Sequence, residues 1–305
     1  MGNDKHFWLQ QYDIPGMELP VDMGASNKVS SASIIEAFKL VQQGKIYDLD
    51  AGRWPGMSVH PVHPPFTLTT YRTARGAIVD QGGRETDDAF LSELMVSSMH
   101  AGAHIDALCH VTCGDENKWY GGRREADELG DHGANTSDGA SLPPFLCRGV
   151  LIDIPTALGV EYLEAGHGID WSQIESALTR QGVNIHTGDA VLLYTGFMQW
   201  WLQGQQKSAE YAGAGITVEA AQKLADLGVI VVGADTEGFE QLPSPDPKKY
   251  LPVHVELLIN HGIHIIELAY LDQLAKDNIY EFLFVCSPLR IRGTTGSMVR
   301  PLAII

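Results

Sequence analysis

The stretch His100-Ala-Gly-Ala-His104-Ile-Asp106-Ala-Leu-Cys-His110 puts three imidazoles and a carboxylate within eleven residues, separated only by small or apolar side chains. Imidazole nitrogen and carboxylate oxygen are the donors that zinc, manganese and other divalent ions take. Any one of these histidines alone reads best as an ordinary structural residue. As a set they do not, because ionisable groups in an apolar stretch are costly to bury unless paired or metal-bound.

Geometry limits how such a set can converge. Donors must lie about 2.0–2.2 Å from an ion, so the ligands nearly touch. A helix would align His100 with His104 but turn Asp106 away. A straight strand would put 100, 104, 106 and 110 on one face, yet spread the outer pair over about 33 Å. A bend at Ala101-Gly102-Ala103 resolves this, since glycine takes dihedrals closed to other residues. His104 and Asp106 then share a strand face, His100 swings in across the bend, and His110 returns from a second turn.

The rest of the chain supplies a frame. Ser31–Gln43 has helical periodicity after serine caps. Strands are expected at 46–49, 149–154, 189–194, 229–232, 264–268, 281–285 and 298–305. Helices are expected at Trp171–Gln181, Thr217–Leu227 and Val253–Asn260. Strands alternating with helices give an α/β fold with a substantially parallel inner sheet, and apolar strand runs mean that both faces are covered. Residues 1–30 read as an arm lying on the body or on a neighbouring subunit. Residues 52–66 form a Pro- and Gly-rich loop carrying Trp54, His63 and Phe66, and residues 113–147 a second irregular excursion.

Composition narrows the class. The net charge of -17 repels phosphate backbones, which argues against nucleic acid as a partner. No run of about 18 apolar residues exists, so no membrane partner is expected. Four cysteines in 305 residues are too few for a disulfide scaffold and fit reduced thiols in the cytoplasm.

The cluster resembles the motif of the cyclase-type metal-dependent hydrolases, the family of bacterial kynurenine formamidase and isatin hydrolase: His-x-Gly-Thr-His-x-Asp-x-Pro-x-His. The match falls at His100, Gly102, His104, Asp106 and His110, with departures at Ala103 (for Thr) and Leu108 (for Pro). Further segments are similar to the family: Tyr47-Asp-Leu, His63-Pro-Pro-Phe, Gly233-Ala-Asp-Thr, His254-Val-Glu-Leu-Leu followed by Glu267, and Gly296-Ser-Met-Val-Arg-Pro. The resemblance spans about residues 45–305, preceded by an arm and helix over 1–44. It implies one domain of swivelling β/β/α-like architecture, a mixed sheet or flattened barrel flanked by helices. It also implies a homodimer or homotetramer.

Carried over by position, the family implies one or two divalent ions per subunit, Zn²⁺ or Mn²⁺. His100, His104 and Asp106 would hold the first. Asp106 would bridge to a second held by His110, His254 and Glu267. With one ion, His110 would be the acid/base group. Such an ion would lower the pKa of water to about 7 and polarise a scissile carbonyl. His110 or Glu267 would pass the proton to the leaving group. Trp54, Phe66 and His63 would bracket a small, flat substrate, and Arg53 would meet a carboxylate. The reaction expected is hydrolysis of a cyclic or aryl amide. The rivals are a lactone or ester hydrolase of the same fold and a metal-binding protein without turnover; the latter would have no use for an acid/base partner.

Overall fold

Four apolar runs build the middle of one sheet. The computed structural model describes residues 23–80, 82 and 88–305. Its main sheet has nine strands: β1 (Ile46–Asp48), β2 (His104–Asp106), β3 (Phe145–Asp153), β4 (Ala190–Tyr194), β5 (Val231–Ala234), β6 (His264–Glu267), β7 (Glu281–Cys286), β8 (Gly296–Met298) and β9 (Leu302–Ile304). Their order is β1-β9-β7-β3-β4-β5-β6-β2-β8. Strands β3 to β6 run parallel. The outer strands join antiparallel, so the sheet is mixed.

Alternation along each central strand divides two cores. Val150, Ile152, Val191, Leu193, Val232 and Ile265 face a layer containing the helical residues Ile174, Ala221, Leu224 and Leu257. Leu151, Leu192, Val231 and Ile266 face the opposite core with Trp119, Leu271, Phe282 and Phe284. The helices are α1 (Ser31–Phe38), α2 (Trp171–Gln181) and α3 (Val218–Leu227). Asp170 and Thr217 cap α2 and α3, satisfying backbone N–H groups left without helical partners. Among the described residues, no helix is long and apolar enough to cross a membrane.

Several expectations change. Residues 298–305 do not make one closing strand. They split into β8, on β2, and β9, between β1 and β7. Pro301 has no N–H to give a ladder, and Val299 N–H turns instead to the Ala103 carbonyl at 3.0 Å. The split also explains the curl of the sheet into a half-barrel. In a flat sheet β8 and β9 would stand about 34 Å apart. The chain from Met298 to Leu302 reaches at most about 14 Å, so the two ends of the sheet must approach each other.

The first helix stops at Phe38, short of Gln43. The 113–147 excursion contains two short strand pairs, Lys118–Trp119 with Arg123–Arg124 and Leu129–Gly130 with Gly133–Ala134. Of the expected N-terminal arm, residues 1–22 lie outside the described residues; residues 23–26 are buried against the body, with Ala25 N–H donating to the Gly262 carbonyl at 2.8 Å, and exposure returns at Lys28. A hairpin pairing Thr67–Arg72 with Ser92–Val96 was not anticipated.

Asp235, at the end of β5, ties this frame to the site. Its carboxylate accepts from the backbone N–H groups of Thr195, Gly196 and Phe197 at 2.9–3.1 Å and from the Thr195 hydroxyl at 2.7 Å. Burial pushes the carboxyl up to about 7, against the pull of the Thr195 donor. Asp235→Ala would leave the Thr195 and Gly196 N–H groups and the Thr195 hydroxyl unpaired, while Phe197 N–H keeps the Thr195 hydroxyl oxygen at 3.3 Å; each orphaned donor is worth about 1–3 kcal/mol. Denaturant unfolding should therefore show a loss of about 3 kcal/mol or more; a loss below about 1 kcal/mol would mean this carboxylate does not hold the loop.

Candidate metal centre

The centre forms where β2 crosses β6. His104 and Glu267 are direct cross-strand partners in register, and Asp106 lies two residues along β2 on the same face. His100 enters over the expected bend: Gly102 has φ +65, closed to most side chains. On the other edge of β2, Gly296 makes room for His100, since a Cβ there would sit 2.8 Å from the ring's Cε1. His110 comes back through a turn closed by its N–H on the Ala107 carbonyl at 3.0 Å. His254 arrives from a helix of Pro252–His254 that widens into a π-helical stretch, Val255–His261.

These six side chains converge. His100 Nδ1 lies 3.1 Å from Asp106 Oδ1, and His110 Nε2 lies 4.0 Å from the same oxygen. His254 Nε2 lies 3.6 Å from Asp106 Oδ2 and 3.3 Å from Glu267 Oε1. His104 Nε2 lies 3.2 Å from Glu267 Oε2 and 3.8 Å from Asp106 Oδ1. Among the described residues, two groups are compact enough to hold an ion: His100, Asp106 and His110, and Asp106, His254 and Glu267. Asp106 belongs to both. The partition differs from the expected one in that His110 groups with His100, while His104 sits against Glu267.

The donor atoms suit a cation. His100 Nδ1, His104 Nε2, both Asp106 oxygens and Glu267 Oε1 are buried with no hydrogen-bond partner among the described residues, a state that costs free energy unless something else satisfies them. On three histidines the opposite ring nitrogen is anchored. His100 Nε2 meets the Thr295 hydroxyl at 2.9 Å, His104 Nδ1–H donates to the Gly102 carbonyl at 2.8 Å, and His254 Nδ1–H donates to Glu240 at 2.6 Å. Anchoring of this kind aims the free lone pair and raises ligand basicity.

Charge follows the same plan. Burial lowers His100 to about 4 and pushes His110 down as well. Burial also opposes charge on His104 and His254, but Glu267 raises the first, and Glu240 with Glu267 raises the second to about 10. The surrounding imidazoles hold the Asp106 carboxyl well below the usual carboxylate range despite its burial.

The structure also sorts the expected substrate residues. The centre opens into a cavity of about 780 Å³, lined on one side by His60, Val62 and His63 and on the other by Glu237, Leu242 and Leu251. His63 lines it and stacks on His100 with ring centroids 4.9 Å apart. Trp54 and Phe66 are not in its lining. Phe66 is buried with Met57, Ala101 and Trp201, and Trp54 packs edge-on to Trp201 at 5.5 Å.

Arg53 is corrected more strongly. Its Nε donates to the Ala101 carbonyl at 2.8 Å, its Nη2 to the carbonyls of Ala103 and Val299, and its Nη1 to Asp50 at 2.8 Å. The fork is spent on the backbone of the metal-binding bend, not on a substrate carboxylate.

Sequence reasoning missed Glu240 and Thr295. Glu240 also accepts from the backbone N–H groups of Val253 and His254 at 3.2 and 3.0 Å, capping the helix it orients. His264 is neutral, pushed to about 4 by burial, and its Nδ1–H donates to the Asp106 carbonyl at 2.8 Å from behind β2. It belongs to neither donor group.

The family model described as "Putative cyclase" matches residues 43–241. The chain belongs to this cyclase family. A novel cyclase of known structure is 27% identical, with a TM-score of 0.82 over 93% of this chain and 97% of the other. Isatin hydrolase A from Labrenzia aggregata, bound to benzyl benzoate, shares the fold at 19% identity, with a TM-score of 0.61 over 85% of this chain and 93% of its own. Isatin hydrolase A from Ralstonia solanacearum does so at 18% identity and a TM-score of 0.62, over 85% and 91%. No curated protein matches the chain.

Glu240 provides the test of how this cyclase-family centre is built. Loss of a partner that orients a ligand typically costs 10–100-fold in metal affinity. Glu240→Gln should weaken zinc binding by about that factor in a chelator-competition titration. Unchanged affinity would show that His254 is not held for a metal.

Proposed function

We propose that this chain is a metal-dependent hydrolase that cleaves the carbon–nitrogen bond of a small cyclic or aryl amide. One observation carries the metal: five buried donor atoms on His100, His104, Asp106 and Glu267 have no hydrogen-bond partner and converge beside one cavity. Zinc and manganese both suit nitrogen and oxygen donors, and the two compact groups sharing Asp106 favour two ions over one. A divalent ion held by these donors supplies Lewis acidity, which lowers the pKa of water to about 7 and polarises a carbonyl.

The side chains then divide the work. His110 lines the cavity with its side chain 20% exposed, while the other donors are nearly inaccessible. Burial disfavours its charged form; with one ion held by the other donors it would be a free base able to take a proton from water and return it to a leaving amine, whereas with two ions its lone pair would go to the metal. Glu267 anchors the arrangement through His104 and His254 and also lines the cavity. His63 continues the imidazole stack outward and offers a flat face to a ring. The walls around them, Val62, Leu242, Leu251 and Leu268, are apolar and fit a small organic molecule.

Glu237 favours an amide over an ester. It lines the cavity, Ser208 donates to its Oε1 at 3.0 Å, and no cation pairs with it among the described residues. A carboxylate offers about four acceptor positions, so capacity remains for a substrate N–H. The ring oxygen of a lactone would instead point lone pairs at these acceptors.

Two experiments test this reading. Metal-free protein prepared with chelator should hydrolyse no amide and regain activity with Zn²⁺ or Mn²⁺, and His104→Ala should lose both metal content and turnover; full metal retention in the variant would remove His104 from the ligand set. The second compares a lactam bearing N–H with its N-methyl derivative and the matching lactone. A hydrogen bond to a charged group is worth about 10–100-fold here, so the N–H lactam should lead by that factor in kcat/KM and Glu237→Gln should erase most of the lead. An equal preference in the wild type would reject amide selection while leaving the hydrolase standing.

A further inference from the structure

Between the apolar wall at Leu242 and the short helix that carries His254, residues 243–251 line the open side of the cavity. The segment is built to hold a shape. Pro243, Pro245 and Pro247 fix φ at every second position. The Ser244 hydroxyl donates to the Asp246 carbonyl at 3.1 Å and accepts from Asp246 N–H at 3.2 Å. Lys249 N–H donates to the same carbonyl and Lys248 N–H to Asp246 Oδ1, both at 3.0 Å. The loop spends its backbone on itself and presents two adjacent, exposed lysines at the cavity.

We propose that Lys248 and Lys249 form a subsite for a carboxylate carried by the substrate, away from the bond that is cleaved. The cleaved end rests on the hydrolase reading; the acid end stands on the loop itself. Three observations select an anion.

The first is unused charge. Lys39, Lys45, Lys118 and Lys207 each pair with a carboxylate within 2.8 Å. Among the described residues neither Lys248 nor Lys249 has an ion-pair partner, although Asp246 lines the same cavity close by in the chain.

The second is where the charge sits. At -17 the chain repels anions over most of its surface. Along the cavity the sign changes: Glu237 and Glu267 lie inside, and the two lysines lie on the exposed rim. The inner pair is already engaged, Glu237 by Ser208 and Glu267 by His104 and His254. A neutral substrate has no use for two ammonium groups at the entrance, and a cationic one would be repelled there.

The third is room. A cavity of about 780 Å³ takes a drug-sized molecule. A ring against His63 fills part of it, and an arm reaching to the rim can use the rest. Arg53 is spent on backbone carbonyls, so among the described residues Lys248 and Lys249 are the lysine or arginine side chains that line the cavity.

The test titrates metal-free full-length protein by calorimetry, so that turnover cannot consume the ligand. The probes are an N–H lactam with a propanoate arm and the same lactam with a neutral methyl-ketone arm of equal length. An exposed lysine–carboxylate pair is worth up to about 5-fold, so two should give the propanoate probe a lead of about 10-fold in affinity. Lys248→Met combined with Lys249→Met should remove the lead, and Lys248→Arg combined with Lys249→Arg should keep it. Lys223→Met, exposed on α3 away from the cavity lining, should leave it unchanged. The lead should also shrink in about 1 M salt, where the screening length is about 3 Å. Equal affinity for the two probes in the wild type, or binding of neither, overturns the proposal. A lead that survives the double methionine variant overturns it equally, because the carboxylate then binds elsewhere. In zinc-loaded protein the same lead should appear in kcat/KM. Turnover of neither probe with the affinity lead intact would remove the hydrolase reading and leave the anion subsite in place.

Discussion

Asp106 is fully buried, and neither of its oxygens has a hydrogen-bond donor. A carboxylate in that state is among the costliest groups a fold can bury. Everything near it is arranged to make the burial tolerable. His100, His104, His110 and His254 stand around it at 3.1–4.0 Å, and their attraction holds its carboxyl below the ordinary range. A cation held between these groups would satisfy the oxygens directly. The donor set therefore explains an otherwise unfavourable core, and the strands that carry it must be held in fixed register.

That register is kept by groups that touch neither metal donors' lone pairs nor substrate. Arg53 binds three backbone carbonyls around the bend, which fixes the path from His100 to His104 without relying on the side chains between. Glu240 caps and orients in one stroke, so the helix start and the His254 ring move together. Asp235 does the same for the loop after β4. Each is a buried or half-buried ionisable group that binds backbone groups as well as one side chain, and each converts local chain direction into donor position.

The sequence made some of this legible and hid the rest for physical reasons. His100, His104, Asp106 and His110 were visible because their spacing is local and a glycine marks the bend. Helices Trp171–Gln181 and Val218–Leu227 were visible because caps and apolar period agree. Glu240 was not, since a glutamate in a polar loop reads as solvated and its partner lies 14 residues on. Thr295 acts 195 residues away from His100. Arg53 looked like a substrate ligand because residue type shows its capacity for a carboxylate, while only the fold shows that carbonyls have already used it. The split of 298–305 was hidden because an apolar run with a single proline looks like one strand until the sheet closes on itself.

The two departures from the family motif gain a different weight from this arrangement. Ala103 contributes its carbonyl to Arg53 and to Val299 N–H, and its side chain is buried. The hydroxyl that steadies His100 comes from Thr295 instead, so a threonine at 103 is not needed for that purpose. Leu108 fills the core beside Val253 and Leu257, and the turn into His110 closes through the Ala107 carbonyl without a proline. Both changes fall on positions where the backbone, not the side chain, holds the donors. They alter packing behind the centre while leaving the donor set intact, which is why the chemistry can persist when the motif does not match in full.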